Sequence, residues 1–396
     1  MNHTLCENIH WVGFLDWNIR DFHSYNTEHG ATYNAYLILD EKNTLIDTVK
    51  APYVETLLEN IAQYVEPTAI DYIVCNHAEP DHAGALGKTL AACPNAKLLC
   101  NKKCLATLSS YFDTSDWKVQ IVENGESISL GKRTLQFMNT PMVHWPESMF
   151  TYVPEEKLLF SMDAFGQHLA TSDRFDDEVS LCDVMREAKI YYANIVLPYG
   201  LQVTKCLEAA SKLDIEMIAP SHGVIWRKYI GEILEEYQDW ATGRVQPKVL
   251  VLYDTMWEST QQMAQAIYDA AVSVPGVAAE LIHVRRMDMT HIAAEAIDAA
   301  AIAFGSATLN SHMMPTMAGV FTYLKGLKPP VRAAVAFGSC GWGRGGAEQL
   351  DAWLDEAKWP RAHDMIKAKY RPDADILAQC TEAGHALAQA ALEAAE

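Results

Sequence analysis

The strongest constraint on the fold is a regular alternation of short apolar runs and amphipathic segments from Lys248 to the C-terminus. The apolar runs predict strands at Lys248–Tyr253, Ala279–Val284, Ala299–Phe304, Val331–Phe337 and Met365–Tyr370. The helical periodicity predicts helices at Ser259–Val272, Ala293–Ala296, Thr316–Leu324, Gly346–Glu356 and Ala374–Ala394. Because strands that alternate with helices pair in parallel, this half is predicted to be a five-stranded, doubly wound parallel α/β sheet.

The preceding residues have a less regular pattern that predicts a second domain. Strands are expected at Tyr33–Leu39 and Thr44–Asp47, which form a hairpin, and at Ala69–Cys75, Lys97–Cys100, Thr134–Asn139, Lys157–Ser161 and Glu216–Ala219. Helical patterns lie at Ala51–Tyr64, Ser180–Tyr191 and Tyr229–Trp240. Mixed strands with interleaved helices predict two sheets covered by helices. The break after Tyr229–Trp240 places the domain boundary between residues 245 and 246, giving domains 1–245 and 246–396.

The composition narrows the class of protein. A chain of 396 residues with 49% hydrophobic and 21% charged residues is globular and too long for one core. Its formal net charge of −20 disfavours non-specific binding to nucleic acid or to anionic membranes. No signal-peptide pattern or membrane-spanning apolar stretch is evident, and the nine scattered cysteines form no C-x-x-C pair. Reduced thiols and a cytoplasmic location are therefore expected.

The main chemical signal is the segment from Asn76 to Gly84, which reads N-H-A-E-P-D-H-A-G directly after the apolar run Ile70–Cys75. It supplies four candidate metal ligands, His77, Glu79, Asp81 and His82. In an extended loop the first three would lie on one side, whereas His82 would need a turn to join them. Pro80 would stiffen that turn and Gly84 would permit close backbone approach.

Three further candidate ligands close apolar strands, namely His144, Asp163 and His222. Taken singly, a histidine after a strand is more often a hydrogen-bonded residue, and Asp163 could be a helix cap. Seven such side chains at strand ends or loops are harder to explain by chance. The set contains four imidazoles, three carboxylates and no thiolate, a combination that suits iron or manganese better than zinc.

The second half contains candidate phosphate-binding and ring-binding loops. After the strand that ends at Tyr253, the residues Asp254–Thr260 lead into a helix, whose amides could hold a phosphate with the hydroxyls of Thr255, Ser259 and Thr260. The alternative interpretation is that this segment is an ordinary helix N-cap that binds no ligand. Two small-residue loops, Gly305–Asn310 and Gly338–Gly346, follow later strands. Trp257 and Trp342 could pack against a planar ring there.

The pattern H-x-E-x-D-H, followed by His144, Asp163 and His222, resembles that of the flavodiiron proteins, or A-type flavoproteins, over essentially the whole chain. The resemblance implies an N-terminal metallo-β-lactamase-like αββα sandwich and a C-terminal flavodoxin-like domain. It implies that His77, Glu79 and His144 bind one iron, that Asp81, His82 and His222 bind the other, and that Asp163 bridges them. The His82 position does not always engage the metal in this family.

The same resemblance implies an FMN held by three loops. The residues concerned are Thr255, Met256, Trp257, Glu258, Ser259, Thr260, Ser306, Ala307, Thr308, Leu309, Asn310, Ser339, Cys340, Gly341, Trp342, Gly343 and Gly345. Glu258 is an unusual neighbour for a phosphate unless it faces solvent. The pair Gly343-Arg344 stands where a small polar pair is more usual in the family.

The activity that the resemblance implies is reduction of dioxygen to water, nitric oxide to nitrous oxide, or both. His23 and Tyr192 resemble polar residues of the family's substrate pocket, although His23 could be surface loop and Tyr192 could be core. An external donor such as rubredoxin and a head-to-tail homodimer, alone or paired as a dimer of dimers, are also implied. The alternatives are a zinc hydrolase with an appended flavodoxin domain and a non-enzymatic electron carrier.

Overall fold

A computed structural model describes residues 4–396, which divide into two compact units. The first unit ends at Gln238 and the second is Asp239–Glu396. The domain boundary expected between residues 245 and 246 falls a few residues further along the chain and stays a prediction. Among the described residues, no helix has the length and apolar character needed to cross a bilayer.

Short strands dominate the first unit. They are β1 Thr4–Cys6, β2 Ile9–Trp11, β3 Phe14–Asp16, β4 Asp21–Phe22, β5 Tyr25–Asn26, β6 Ala31–Tyr33, β7 Tyr36–Ile38, β8 Thr44–Ile46, β9 Tyr72–Val74, β10 Lys97–Cys100, β11 Val119–Ile121, β12 Ser127–Ser129, β13 Thr134–Asn139, β14 Met149–Val153, β15 Leu158–Met162 and β16 Met217–Pro220. One sheet has the order β1-β2-β7-β8-β9-β10-β11 and the other has the order β12-β13-β14-β15-β16. Two small hairpin-like pairs, β3 with β6 and β4 with β5, stand apart from these sheets.

The helices of this unit are α1 Val54–Ala62, α2 Pro80–Ala83, α3 Leu86–Ala92, α4 Lys102–Tyr111, α5 Leu181–Tyr191, α6 Gly200–Ala210 and α7 Ile230–Thr242, the last of which continues past the unit boundary. Short 3₁₀ turns lie at Ala51–Tyr53, Pro67–Ala69, Pro154–Glu156 and Leu197–Tyr199, and a π-helical turn lies at Tyr192–Val196.

Alternation along the strands of the first sheet explains how the layers stack. In β9, Ile73 joins the core that contains α1, α3 and α4, whereas Val74 joins the core shared with the second sheet. In β10, Leu98 and Leu99 divide in the same way. Successive strand residues point to opposite faces, so this sheet is buried on both sides. The predicted pair of helix-covered sheets is confirmed.

The second unit is built around one sheet. Its strands are β17 Gln246–Asp254, β18 Ala278–His283, β19 Ala299–Leu309, β20 His312–Met313, β21 Ala333–Cys340 and β22 Ile366–Lys369, and its helices are α8 Ser259–Val272, α9 Met289–Ala296, α10 Pro315–Leu327, α11 Gly346–Ala357 and α12 Ala374–Ala395. The order β18-β17-β19-β21-β22 is parallel throughout, with β20 antiparallel to β19. The predicted doubly wound sheet is confirmed. In such sheets, ligands bind at the edge formed by the carboxyl ends of the strands.

Several predicted bounds were wrong. The strand expected to end at Phe304 continues to Leu309, because Thr308 and Leu309 pair with the short strand β20. The helix expected from Ala293 begins at Met289, where the side chain of Asp288 accepts a hydrogen bond from the Thr290 amide. Strands β1–β6, β11, β12 and β14 and helices α3, α4 and α6 were not predicted. Most of those strands have only two or three residues, which is too short for an alternating pattern to register.

Candidate metal centre and cofactor cleft

All seven candidate ligands of the first unit converge into two adjacent clusters. Within each cluster, one ligand atom from every residue lies within 4.8 Å of the others. The first cluster is His77, Glu79, His144 and Asp163, and the second is Asp81, His82 and His222. Strands β9, β15 and β16 all end next to these residues, and β15 runs parallel to β16. The sheet edges therefore supply the convergence that the sequence predicts.

A one-turn helix explains how four ligands can come from six consecutive residues. Glu79 occupies the N-cap position in an extended conformation, and Pro80 opens α2. The turn that His82 requires is thus present, and Asp81 lies in the same turn rather than in an extended loop. A Cβ atom at Gly84 would lie 2.2 Å from the Pro80 carbonyl oxygen and 3.0 Å from the Ala51 amide nitrogen, so close backbone approach is required there.

The carboxylate of Asp163 lies between the two clusters. Its Oδ2 atom is 3.0 Å from His144 Nε2 and 3.4 Å from His77 Nε2. Its Oδ1 atom is 3.1 Å from His82 Nε2 and 3.6 Å from His222 Nε2. One oxygen therefore faces each cluster, which is the arrangement that a carboxylate bridging two metal ions requires.

Buried hydrogen-bond acceptors orient two of the imidazoles through the ring nitrogen that faces away from the cluster. His77 Nδ1 lies 2.8 Å from Glu147 Oε1, and His222 Nδ1 lies 2.6 Å from the Thr32 carbonyl oxygen. When Nδ1 carries the proton, it donates to these oxygens and leaves the Nε2 lone pair facing the cluster. Such partners fix the ring orientation of metal-binding histidines and raise their basicity. Glu147 was not predicted, although it follows His144 by three residues in H-W-P-E.

Another buried carboxylate holds the backbone at the start of the ligand loop. Asp47 accepts hydrogen bonds from the Asn76 amide and from the Asn76 side chain, each at 2.8 Å. The Asn76 side chain accepts in turn from the Thr151 hydroxyl at 2.7 Å. All three residues are buried, so this network fixes the loop before His77 begins.

The chemistry of these side chains fits a bound cation. Among the described residues, both carboxylate oxygens of Asp81, both ring nitrogens of His82, Asp163 Oδ2 and His222 Nε2 are buried without a hydrogen-bond partner. Buried polar atoms are rarely left unsatisfied in proteins. A buried cluster of carboxylate oxygens and imidazole nitrogens whose hydrogen-bonding capacity is unused is an environment that a divalent metal ion can occupy.

Electrostatics supports the same interpretation. Burial alone would lower the pKa of His77, but hydrogen bonds to Glu147 and Glu79 raise it to about 10. Burial opposes ionisation of Asp163, yet the imidazoles of His82 and His144 hold its pKa well below the usual range. Without metal, the charged carboxylates therefore favour protons on His77, His82 and His144, whose pKa values are all raised. Metal ions would displace those protons.

One predicted pocket residue, His23, lies at this centre. It occupies the tip of the two-residue turn between β4 and β5, where His23 and Ser24 have φ values of 52° and 62°. Two consecutive positive φ angles define a type I′ turn, which favours Asn-Gly, so this turn is strained. Its Nε2 atom lies 3.2 Å from Glu79 Oε1. The strained turn therefore aims an imidazole at the carboxylates of the centre.

The other predicted pocket residue, Tyr192, packs elsewhere, and its role stays a prediction. Its ring centroid lies 4.9 Å from that of Tyr237, and it is fully buried. The preceding Tyr191 lies nearer the centre, with its ring 5.9 Å from that of His222. The Tyr191 hydroxyl is buried without a hydrogen-bond partner in the described part of the chain.

A second unpredicted residue, His168, also borders the centre. Its ring lies 4.8 Å from that of His222 and 5.6 Å from that of His23. Burial, followed by the charges of His222 and His23, holds its pKa well below the usual range, so the ring is neutral. The sequence signal was weak, because a single histidine in Phe165-Gly166-Gln167-His168 belongs to no motif.

A cleft of about 420 Å³ lies at the carboxyl edge of the sheet in the second unit. It is lined by Met256, Trp257, Ser259, Ala307, Thr308, Leu309, Asn310, Ser311, Ser339, Cys340, Gly341, Trp342, Gly343 and Tyr370. Ser311 and Tyr370 were not predicted. The predicted residues Thr255, Glu258, Thr260, Ser306 and Gly345 do not line it. The volume lies within the usual range for cofactor and ligand pockets.

The features of this cleft fit a phosphorylated aromatic cofactor. Helix α8 begins at Ser259, and the buried Thr255 hydroxyl beside it has no hydrogen-bond partner among the described residues. Exposed amides at a helix N-terminus and a free hydroxyl suit a phosphate. Trp257 and Trp342 are 85% and 93% exposed, so neither ring is used by the core. Glu258 is exposed, as a phosphate neighbour requires.

Comparisons with known proteins identify both domains. Residues 31–223 match a family described as ODP family beta lactamase, and residues 251–384 match the flavodoxin family. The chain is 43% identical to a nitric oxide reductase of Moorella thermoacetica over 97% of its length and 98% of that protein.

Two solved structures are similar to this chain over its whole length. The rubredoxin oxygen:oxidoreductase of Desulfovibrio gigas superposes with a TM-score of 0.96 at 38% identity, over 100% of this chain and 99% of that one. The flavodiiron protein of Giardia intestinalis gives 0.94 at 37% identity, over 100% and 98%.

Proposed function

The chain belongs to the flavodiiron protein family, and from this premise we propose how its own residues serve the family reaction. The chain is an oxidoreductase that reduces dioxygen to water or nitric oxide to nitrous oxide, using a non-haem diiron site and FMN. A metallo-β-lactamase-like domain precedes the flavodoxin domain. The residue roles below are our assignments.

We assign one iron to His77, Glu79 and His144, and the other to Asp81, His82 and His222, with Asp163 as the bridge. The observation that carries this assignment is the position of Asp163, whose two oxygens face different imidazole pairs. His82 is included because its Nε2 atom lies 3.0 Å from Asp81 Oδ2 and 3.1 Å from Asp163 Oδ1. The mixture of imidazoles and carboxylates, without thiolate, favours iron over the zinc of a hydrolase.

When bound, the two irons would supply open coordination positions and, together with FMN, the four electrons needed to convert one dioxygen molecule into two water molecules. The chain's own side chains orient these groups and exclude water. His77 and His222 are held by Glu147 and the Thr32 carbonyl, and both imidazoles are buried. The ligand geometry is therefore set before a metal ion arrives.

We assign the substrate pocket to His23 and Tyr191, and we expect the predicted residue Tyr192, which packs against Tyr237, to lie outside it. The Nε2 atom of His23 lies near Glu79 Oε1, whereas His77 and His144 lie near Oε2, and a protonated Nε2 can donate a hydrogen bond there. The Tyr191 hydroxyl is buried with its donor unused by the described residues. A phenol in that position can donate to a small polar substrate.

In the second domain we assign the phosphate of FMN to the start of α8 and its ring to the cleft between Trp257 and Trp342. Thr255 offers a buried hydroxyl and Ser259 lines the cleft. The Thr260 hydroxyl lies 2.9 Å from that of Ser339 and so helps to hold two of the predicted loops together.

We propose that the electrons come from an external donor protein. Rubredoxin is our first candidate, and the name of the Desulfovibrio gigas protein supports it. We also propose a head-to-tail homodimer or dimer of dimers, and a cytoplasmic location that fits nine free cysteines.

Metal and flavin analysis of anaerobically purified protein tests this proposal. We expect about two iron ions and one FMN per chain, in agreement with the two clusters and the cleft of the second unit. Zinc in place of iron, together with ester or lactam hydrolysis, would instead support the hydrolase alternative. A full iron complement with a reduced flavin that is inert to both gases would support a simple electron carrier.

A further inference from the structure

The phosphate loop contains no lysine or arginine, yet the fold brings one arginine to it. The segment Asp254–Thr260 carries two acidic residues and no basic one. Strand β18 lies beside β17, and Arg285 follows its end by two residues. Its guanidinium Nε donates to Asp254 Oδ1 at 2.7 Å, and its Nη2 donates to the Thr255 carbonyl oxygen. One side chain therefore holds the first two residues of the loop.

Asp254 needs this partner because it is fully buried. Its Oδ1 atom also accepts from the Thr255 amide at 2.8 Å, whereas Oδ2 has no hydrogen-bond partner in the described chain. A buried carboxylate without a counter-charge is strongly disfavoured. The Arg285 side chain is 44% exposed, so it can carry its charge at low cost while it neutralises Asp254.

A phosphate at the start of α8 makes this neutralisation more important. Such a phosphate is close to a dianion, and it would bind to the same short loop that begins with Asp254. Two negative groups at short range repel each other, and the low-dielectric surroundings of a buried carboxylate strengthen that repulsion. His283 does not replace the arginine, because its Nε2 atom lies 3.4 Å from Asp254 Oδ1 without hydrogen-bond geometry and its ring stacks on Tyr253.

We propose that Arg285 is a positioning residue of the flavin phosphate site, which neutralises Asp254 and fixes the Thr255 carbonyl so that the loop accepts a dianionic phosphate. The inference rests on the FMN assignment made above. It attributes to Arg285 an effect exerted through Asp254, not through direct contact with the phosphate.

The experiment measures FMN and riboflavin affinities of the full-length protein, after removal of its flavin, by quenching of flavin fluorescence. Arg285→Met removes the charge and keeps most of the side-chain length. We expect it to raise the Kd for FMN by about ten- to a hundredfold, as expected when a charged hydrogen-bond partner is lost. The Kd for riboflavin, which has no phosphate, should change less than about twofold. Arg286→Met is the matched control, because Arg286 is also exposed and carries the same charge.

The double variant Asp254→Asn with Arg285→Met separates the possible mechanisms. If Arg285 acts by neutralising Asp254, removal of both charges restores the FMN affinity to within about threefold of the parent protein. A double variant as weak as Arg285→Met would show that neutralisation of Asp254 does not account for the effect and would overturn the proposal. Equal losses for FMN and riboflavin would also contradict it, because they would indicate a general structural defect.

Arg285→Lys covers the case in which Arg285→Met does not fold. It keeps the charge but cannot reach Asp254 and the Thr255 carbonyl together, so an intermediate affinity is expected. An Arg285→Lys protein with the affinity of the parent would contradict a bidentate role. Failure of the parent protein itself to bind FMN would overturn the FMN assignment and not this inference alone.

Discussion

Replacing Glu147 by glutamine tests how far the metal centre depends on a residue that touches no metal. Glu147 is 1% exposed, and its Oε1 atom accepts from His77 Nδ1 at 2.8 Å and from the Ala78 amide at 3.2 Å. Glutamine has the same shape but no charge, so the hydrogen bond to His77 becomes neutral. The imidazole should then be less basic and a weaker ligand.

The magnitude follows from the two kinds of hydrogen bond. A bond to a charged group contributes about 1.5–3 kcal/mol and a neutral bond about 0.5–1.5 kcal/mol, so the midpoints differ by about 1.25 kcal/mol, or about eightfold in affinity. Alanine removes the acceptor and leaves the buried Nδ1 proton of His77 without a partner. We expect about a hundredfold loss of iron affinity in Glu147→Ala.

Iron affinity can be measured anaerobically by competition with a chelator, with flavin absorbance as an internal measure of folded protein. Glu55→Gln is the control, because Glu55 is exposed on α1 and the same charge is removed. Iron affinity in both Glu147 variants that matches the Glu55→Gln control would refute the role of Glu147.

Three further predictions follow from the sites. Asp163→Asn should lose at least about half of its iron and retain FMN, because the bridging charge is removed while the flavodoxin sheet is untouched; an unchanged iron content by elemental analysis would exclude the bridge. A fragment of residues 246–396 should fold and bind FMN, since its sheet is complete; a folded fragment without FMN affinity would contradict the cleft assignment. His23→Ala and Tyr191→Phe should keep iron and FMN but slow gas reduction about tenfold or more. Tyr192→Phe should leave the rate of gas reduction nearly unchanged. A larger decrease in rate for Tyr192→Phe than for Tyr191→Phe would place Tyr192, and not Tyr191, in the pocket.

Much of the metal centre could be predicted from the sequence because its ligands close strands. Asp163 directly follows β15 and His222 follows β16 by two residues, and parallel strands end at one edge. The segment from His77 to His82 adds four ligands through a single helical turn. Such local rules are visible in a sequence.

Other parts of the centre depend on packing that no local pattern records. Tyr191 and Tyr192 are adjacent at the junction where α5 becomes a π-helical turn, and only the structure shows which ring lies beside His222. Glu147 and His168 are single residues whose roles depend on distant partners. Arg285 reaches Asp254 only because β18 lies beside β17. Long-range pairing of this kind cannot be read from spacing.

Rapid mixing of the anaerobically reduced protein with each gas, at known iron and FMN content, tests the central claim most directly. We expect fast reoxidation of the flavin, with about four electrons consumed per dioxygen molecule and no accumulation of hydrogen peroxide, or with nitrous oxide formed from nitric oxide. A fully loaded protein whose reduced flavin survives both gases, or that releases one hydrogen peroxide per dioxygen, would contradict reduction at a diiron site.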